Sequence, residues 1–324
     1  MQVRYGRIAG IEKPVPRLIQ GTMWFRANDA DAARAVLDTA FELGCTALDT
    51  AHVYGAGESE RIVGQWIHER AVRDQVVIIG KGCEPNPDRS RVTAFDVTAD
   101  LQDSLARLRT DHIDLYLVHV DDPGAPVAPI VDVLNEHLQA GRISAYGVSN
   151  WSHLRITEAN AYAAANGLRP IAASSVNLSL AEQVRPPWPG NLSIGGEAGR
   201  TAREWYARER LPLLAWSSLA GGFFSGRFTR SNWRTFDEYF ARISAETYCT
   251  EDNFRRLDRA TELGSKSGRT AAQVALAWIL AQPMEMFALV GSATPKEVRS
   301  NVGAFEISLS AAEIAWLAGA REAV

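Results

Sequence analysis

Short apolar runs alternate along this chain with longer stretches in which apolar residues return every three or four positions, the pattern of successive parallel βα units. The first run spans 17–21. A helix is expected over 31–43, burying Ala33, Val36, Leu37, Ala40 and Phe41 on one face, and Gly44 stands where a left-handed residue ends such a helix. Thr46, Ala47 and Leu48 form a second strand that leads, through Gly55 and Gly57, into a helix with Ile62, Val63, Trp66 and Ile67 on its buried side. The runs VVII (76–79) and IDLYLV (113–118) are strands three and four. Their helices are marked by Val97, Leu101, Leu105 and Leu108, and by Ile130, Leu134 and Leu138.

Four more strands are expected at 143–148, 171–176, 211–216 and 287–290, with helices over 152–166, over 270–281, after Pro295 and from Ala311. Eight strands interleaved with helices is the count of an α/β (β/α)8 TIM barrel, and the chain reads as one domain over 1–324. Two connections are long for such a barrel, 182–198 and 217–250, the second rich in Phe, Tyr and Trp; both are expected as loops on the C-terminal rim. A doubly wound dinucleotide-binding sheet is the rival architecture, but no GxGxxG follows the first strand.

Composition narrows the function classes. A net charge of -4 over 324 residues, with no Lys/Arg cluster, offers no field for nucleic acid or an acidic membrane surface. No apolar run is long enough to span a bilayer, and the charged, proline-interrupted start lacks the apolar centre of a signal peptide. Cys45, Cys83 and Cys249 have neither CxxC nor metal-ligand spacing, which points to reduced thiols in a cytoplasm and to no metal site. The oligomeric state is left open.

Candidate chemistry gathers where strands end. Asp49 closes the second strand with Tyr54 five residues on, Lys81 follows the third strand, and His119 follows the fourth. Adjacent strands lie ~5 Å apart, so a carboxylate, a phenol, an ammonium and an imidazole can share one small volume. The ammonium is expected to lower the phenol's pKa, the carboxylate to hold the ammonium, and a neutral imidazole to donate to a carbonyl oxygen. Such a group of residues can protonate a carbonyl but contains no source of hydride.

The ordered set LDTAHVYGAGESE, IIGKG, DLYLVHVDDP, YGVSNW and AWSSLAGG resembles the aldo-keto reductase family from Gly21 to about Asn301. That resemblance implies a barrel that binds a nicotinamide cofactor, NAD(H) or NADP(H), without a Rossmann domain, and interconverts a small-molecule carbonyl and alcohol. It implies a tetrad of Asp49, Tyr54, Lys81 and His119, with Tyr54 as the acid in reduction and the base in oxidation. Ser149 and Asn150 match the pair that holds the nicotinamide carboxamide, and Trp216 the aromatic on which the ring stacks. Gly21, Thr22, Met23 and Asp49 would border the cofactor too. Ser175 stands where the family usually has Gln. Ser217, Ser218, Leu219 and Gly221 match the loop that wraps the pyrophosphate, with Arg227 as an added charge.

At the adenosine end, relatives place Lys or Arg at positions that here read Gly291, Ala293 and Glu297, with Ser292 and Asn301 as ribose and adenine contacts. A carboxylate repels a 2′-phosphate and accepts from a ribose hydroxyl, so the segment favours NAD(H). The substrate pocket is expected to involve Trp24, Tyr54, His119 and Val120, with His52, Val53 and Cys83 nearby. Polar residues at the mouth (Arg89, Asp121, Asp122, Arg185) suit a sugar or polyol carbonyl. The other reading is a cofactor-binding sensor subunit with little turnover, against which the complete tetrad argues.

Overall fold

The computed structural model describes residues 2–320; Met1 and residues 321–324, the two ends of the expected domain, lie outside the described residues. The chain starts with a short antiparallel hairpin, β1 (Tyr5–Gly6) and β2 (Val15–Pro16). Eight parallel strands follow: β3 (Leu18–Gly21), β4 (Ala47–Asp49), β5 (Val77–Gly82), β6 (Ile113–Val118), β7 (Ile143–Ser149), β8 (Ala173–Ser175), β9 (Leu213–Ala215) and β10 (Met286–Val290). They close into a barrel in chain order, with β10 paired to β3. Around it lie α1 (Ala30–Glu42), α2 (Glu58–Arg70), α3 (Ala94–Leu108), α4 (Ala128–Gln139), α5 (His153–Ala165), α6 (Arg200–Glu209), α7 (Tyr239–Tyr248), α8 (Glu251–Ser265), α9 (Ala271–Leu280), α10 (Pro295–Val302) and α11 (Ala311–Ala318). No described helix is long and apolar enough to cross a membrane.

Period-two alternation divides each strand between two cores. Ile19, Ala47, Val77, Ile79, Leu115, Leu117, Ala145, Ala173, Leu214, Phe287 and Leu289 fill the barrel. Leu18, Leu48, Ile78, Tyr116, Val118, Tyr146 and Val148 face outward into the layer of helices. Continuing the inward parity to the strand ends, one step in seven strands and two in β7, brings a ring of residues to the C-terminal rim: Gly21, Asp49, Lys81, His119, Ser149, Ser175, Trp216 and Gly291. The register Gly21↔Asp49 and Ser149↔Ser175 puts members of this ring side by side.

The eight expected strands are present, and five further elements, two strands and three helices, were not anticipated. The β1–β2 hairpin sends Ile8, Ile11 and Val15 into the barrel's lower end, so it acts as a plug. α6 and α8 fill the stretches before and after β9. The segment 217–250, expected as a loop, contains α7, whose start is capped by Glu238 accepting from the amides of Phe240 and Ala241.

Candidate active site

β4 delivers Asp49 and β5 delivers Lys81 to the upper opening of the barrel, and both are buried. Lys81 Nζ lies 2.7 Å from Asp49 Oδ1 and donates to the carbonyl of Thr50 at 2.8 Å. It also reaches the Tyr54 hydroxyl at 3.3 Å. Tyr54 arrives there because the chain turns tightly after β4: Gly55, Ala56 and Gly57 all have left-handed φ (56°, 51° and 87°) before α2 begins. His119, one residue past β6, presents its ring edge-on to Tyr54, with centroids 5.9 Å apart. The four residues proposed from the sequence therefore share one volume.

Burial dominates the electrostatics. It lifts the Tyr54 hydroxyl above the ordinary phenol value, and Lys81 only partly opposes this. The expected lowering is thus not what the geometry gives, because the phenolate would be deprived of water and the ammonium is already shared with Asp49. For Lys81, burial lowers its pKa but Asp49 and Tyr54 together outweigh it, leaving the ammonium held above its usual range. Burial raises the Asp49 carboxyl despite Lys81. Burial and then Lys81 push His119 down to about 3, so its imidazole is neutral at physiological pH.

One group in this volume was missed. Glu84 Oε2 lies 3.0 Å from His119 Nδ1. An acid three residues after the strand-ending lysine was the available signal, but its direction depends on Cys83, which adopts a left-handed φ of 68°. Cys83 itself, expected on the pocket wall, is buried behind it, its amide donating to Asp100. His52 turns away to Asp103 at 3.1 Å.

Beside the tetrad, Asn150 has a left-handed φ of 61° and a fully engaged side chain. Its Nδ2 donates to the carbonyl of His119 and to Ser149 Oγ, and its Oδ1 accepts from Leu192 N and Trp216 Nε1. Ser175 Oγ donates to the carbonyl of Leu214, which ties it to the barrel wall. Ser217 and Ala220 through Gly222 are all left-handed, the conformation in which successive amides line a concave surface. Ser218 Oγ in this turn donates to Ala215 O, and Leu219 precedes the turn's last residues. Arg227 lies over the rings of Phe228 and Phe236.

Across the opening, Asn301 Nδ2 donates to Ser292 Oγ, and Gln20 donates to the carbonyl of Ser292. Thr22 Oγ1 donates to Asp49 O, fixing the segment that continues through Met23. The Glu297 carboxylate accepts from the Ala293 amide at 2.7 Å, at the start of α10. Trp24 packs against both Gly291 and Phe240; Trp188 also meets Phe240. Gly190 of the same loop as Trp188 approaches Val120. Aromatic side chains and that loop thus bridge the mouth. A hollow of about 370 Å³ opens next to Val120, walled by residues 85–90 and 120–123.

A sequence model described as the aldo/keto reductase family matches residues 17–322. The chain is 30% identical to the uncharacterized oxidoreductase YrpG of Bacillus subtilis, over 91% of this chain and 89% of that one. It is 28% identical to the aldo-keto reductase yakc [NADP(+)] of Schizosaccharomyces pombe, covering 93% and 86% of the two chains. In fold it is similar to an aldo-keto reductase from Klebsiella pneumoniae solved with NADPH, with a TM-score of 0.73 and 23% identity over 100% of this chain and 98% of that one.

Proposed function

The chain belongs to the aldo/keto reductase family and is an NAD(P)-dependent oxidoreductase; from that premise we propose that it interconverts a small-molecule carbonyl and its alcohol, with Tyr54 as the proton donor in reduction. The observation that carries this reading is Lys81 Nζ standing between Asp49 and the Tyr54 hydroxyl, with the His119 ring alongside. A nicotinamide cofactor supplies or accepts the hydride. The residues present fit such a group: Trp216 offers an inward aromatic face, Ser149 and Asn150 stand beside it, and the left-handed turn at 217–222 offers amides for a pyrophosphate. Ser292 and Asn301 would border the adenosine.

In reduction, Tyr54 gives its proton to the carbonyl oxygen as negative charge develops there. The phenol stays protonated beforehand because burial has raised its pKa. Lys81, held charged by Asp49, stabilises the phenolate left behind. His119, neutral, orients the oxygen by hydrogen bonding. In oxidation the same phenolate takes the proton back.

We further propose NADP(H) as an accepted cofactor. The lean towards NAD(H) rested on Glu297, whose carboxylate is occupied by the Ala293 amide. Lys296 and Arg299 beside it are exposed and have no acidic partner among the described residues. The named NADP(+) relative is in keeping with this assignment.

For the substrate, the sugar expectation loses most of its footing. Arg89 is bound to Asp96, Asp121 to Arg155 and Arg185 to Glu246, so three of the four polar mouth residues are already paired. Trp24, Trp188 and Phe240 favour a flat, largely apolar carbonyl compound instead. The test is loss of reduced-nicotinamide absorbance with NADPH or NADH against aryl aldehydes, aryl ketones and aldoses. Faster turnover of aryl carbonyls supports the assignment, and a preference for aldoses overturns the substrate class. Cofactor binding with no turnover across the panel would return the chain to the sensor reading.

A further inference from the structure

The carboxyl group of Glu84 sits inside the proposed catalytic volume without a role in the tetrad. It is about one-third exposed, at 34%, while the His119 side chain is 15% exposed. Three features hold it there. Cys83 takes a left-handed φ of 68°, rare for a side chain other than Gly, Asn or Asp. The Cys83 amide donates to Asp100 Oδ2 at 2.8 Å. Arg91, itself paired to Asp96 and Asp100, donates to the carbonyl of Glu84 at 3.4 Å. A strained residue fixed from both sides next to a reactive site is a costly arrangement to keep without use.

His119 Nδ1 is buried and has no well-aligned hydrogen bond; its 3.0 Å contact with Glu84 Oε2 lies off the preferred line. Contacts of this kind in a ligand-free site often tighten when the site fills. Nε2 is the ring nitrogen left for a substrate. An imidazole with its hydrogen on Nδ1 would direct the Nε2 lone pair at the carbonyl oxygen and repel it. With its hydrogen on Nε2 it donates.

We propose that Glu84 is a positioning residue that sets the tautomer of His119: its carboxylic acid donates to Nδ1, so that Nε2 keeps its hydrogen for the carbonyl oxygen. This rests on the carbonyl-reducing reading above. The pair is two neutral groups joined by one hydrogen bond. Burial favours that state at both ends, raising the Glu84 carboxyl and lowering the imidazole. Lys81 works in two directions, disfavouring an imidazolium and favouring a glutamate anion.

The charged and titratable neighbours are accounted for. Lys81 and Asp49 form one pair, with Tyr54 against Lys81. Arg91 is engaged by Asp96 and Asp100, His52 by Asp103, and Asp121 by Arg155. When Glu84 ionises as pH rises, the hydrogen of the neutral ring moves to Nδ1 to meet the carboxylate. Nε2 then faces the carbonyl as an acceptor, and reduction declines.

Two readouts test this. The first is ¹⁵N NMR of histidine-labelled protein, with His119 assigned by its loss in His119→Asn. The parent is expected to show hydrogen on Nε2 while the Glu84 carboxyl is protonated and transfer to Nδ1 once it ionises as pH rises. Glu84→Gln, whose amide donates to Nδ1 at every pH, keeps hydrogen on Nε2 throughout, and Glu84→Ala shows a mixture.

The second readout is the pH profile of kcat. Glu84→Ala lowers kcat by about tenfold with KM little changed. Glu84→Gln recovers most of that loss and lacks the parent's decline with rising pH. A His119 tautomer that is the same in the parent and both variants overturns the proposal, as does an unchanged pH profile. Should the parent reduce no carbonyl, the NMR result still decides the role of Glu84, and the functional reading fails separately.

Discussion

The Trp216 indole N–H donates to Asn150 Oδ1 at 3.2 Å, so the aromatic face proposed to carry the nicotinamide is tied to the amide proposed to hold its carboxamide. The same oxygen accepts from Leu192 in the long loop after β8. Three elements therefore orient one side chain before any ligand arrives.

Trp216→Phe keeps a stacking face and deletes this hydrogen bond. One such bond contributes ~0.5–1.5 kcal/mol net, so the cofactor Kd is expected to rise about 2- to 10-fold by fluorescence titration. An unchanged Kd would mean that the link does not organise the site.

At the adenosine end, Glu297→Arg replaces the carboxylate that now occupies the Ala293 amide with a guanidinium. The expected outcome is tighter NADP(H) binding with NAD(H) little affected, read from the two Kd values. Equal shifts for both cofactors would place the side chain away from the 2′ position.

Gly64 lies where α2 crosses α3, and a Cβ there would come within 2.6 Å of the Leu108 backbone. Alanine is ~1 kcal/mol better than glycine in a helix interior, but a methyl group forced against backbone costs ~1–3 kcal/mol. The clash should win. Gly64→Ala is expected to lower stability by up to about 2 kcal/mol in urea unfolding; a gain would show that the two helices can separate at little cost.

Asp96 accepts two hydrogen bonds from Arg89, each 2.7 Å, and a third from Thr93. Arg89 is the largest cause holding its carboxyl at about 2, against an ordinary 3.8. A depressed carboxylate contributes stability above its unfolded pKa, and that contribution is lost as pH falls through the folded value. Asp96→Asn should therefore be less stable than the parent at neutral pH, with the gap closing between about pH 4 and pH 2. A gap that stays constant across this window would assign the loss to packing.

Much of this was readable from the chain because strand parity is a strict rule. Val77, Ile79 and Lys81 share one face, as do Leu115, Leu117 and His119, so an apolar run ending in a polar residue of the same parity marks a rim position. The β1–β2 hairpin was not readable: strands of two residues carry no alternation. α7 was obscured by its aromatic content, and its helix depends on the Glu238 cap. α8 has signals legible in the chain, a Thr250 cap and a Phe254, Leu257, Ala260 stripe. Glu84 could be seen as an acid near the site, but its approach to His119 follows from the φ of Cys83, which no residue pattern specifies. The direction of the Tyr54 shift was likewise out of reach, since it depends on how completely the folded chain excludes water.

The central claim is that the hydroxyl beside Lys81 is the proton donor. Tyr54→Phe removes that oxygen and leaves the ring, so reduction of a carbonyl substrate followed at saturating NADPH, alongside the cofactor Kd, tests it directly. The account predicts a fall in kcat of about a hundredfold or more with Kd essentially unchanged. Reduction at the parent rate by Tyr54→Phe would contradict it.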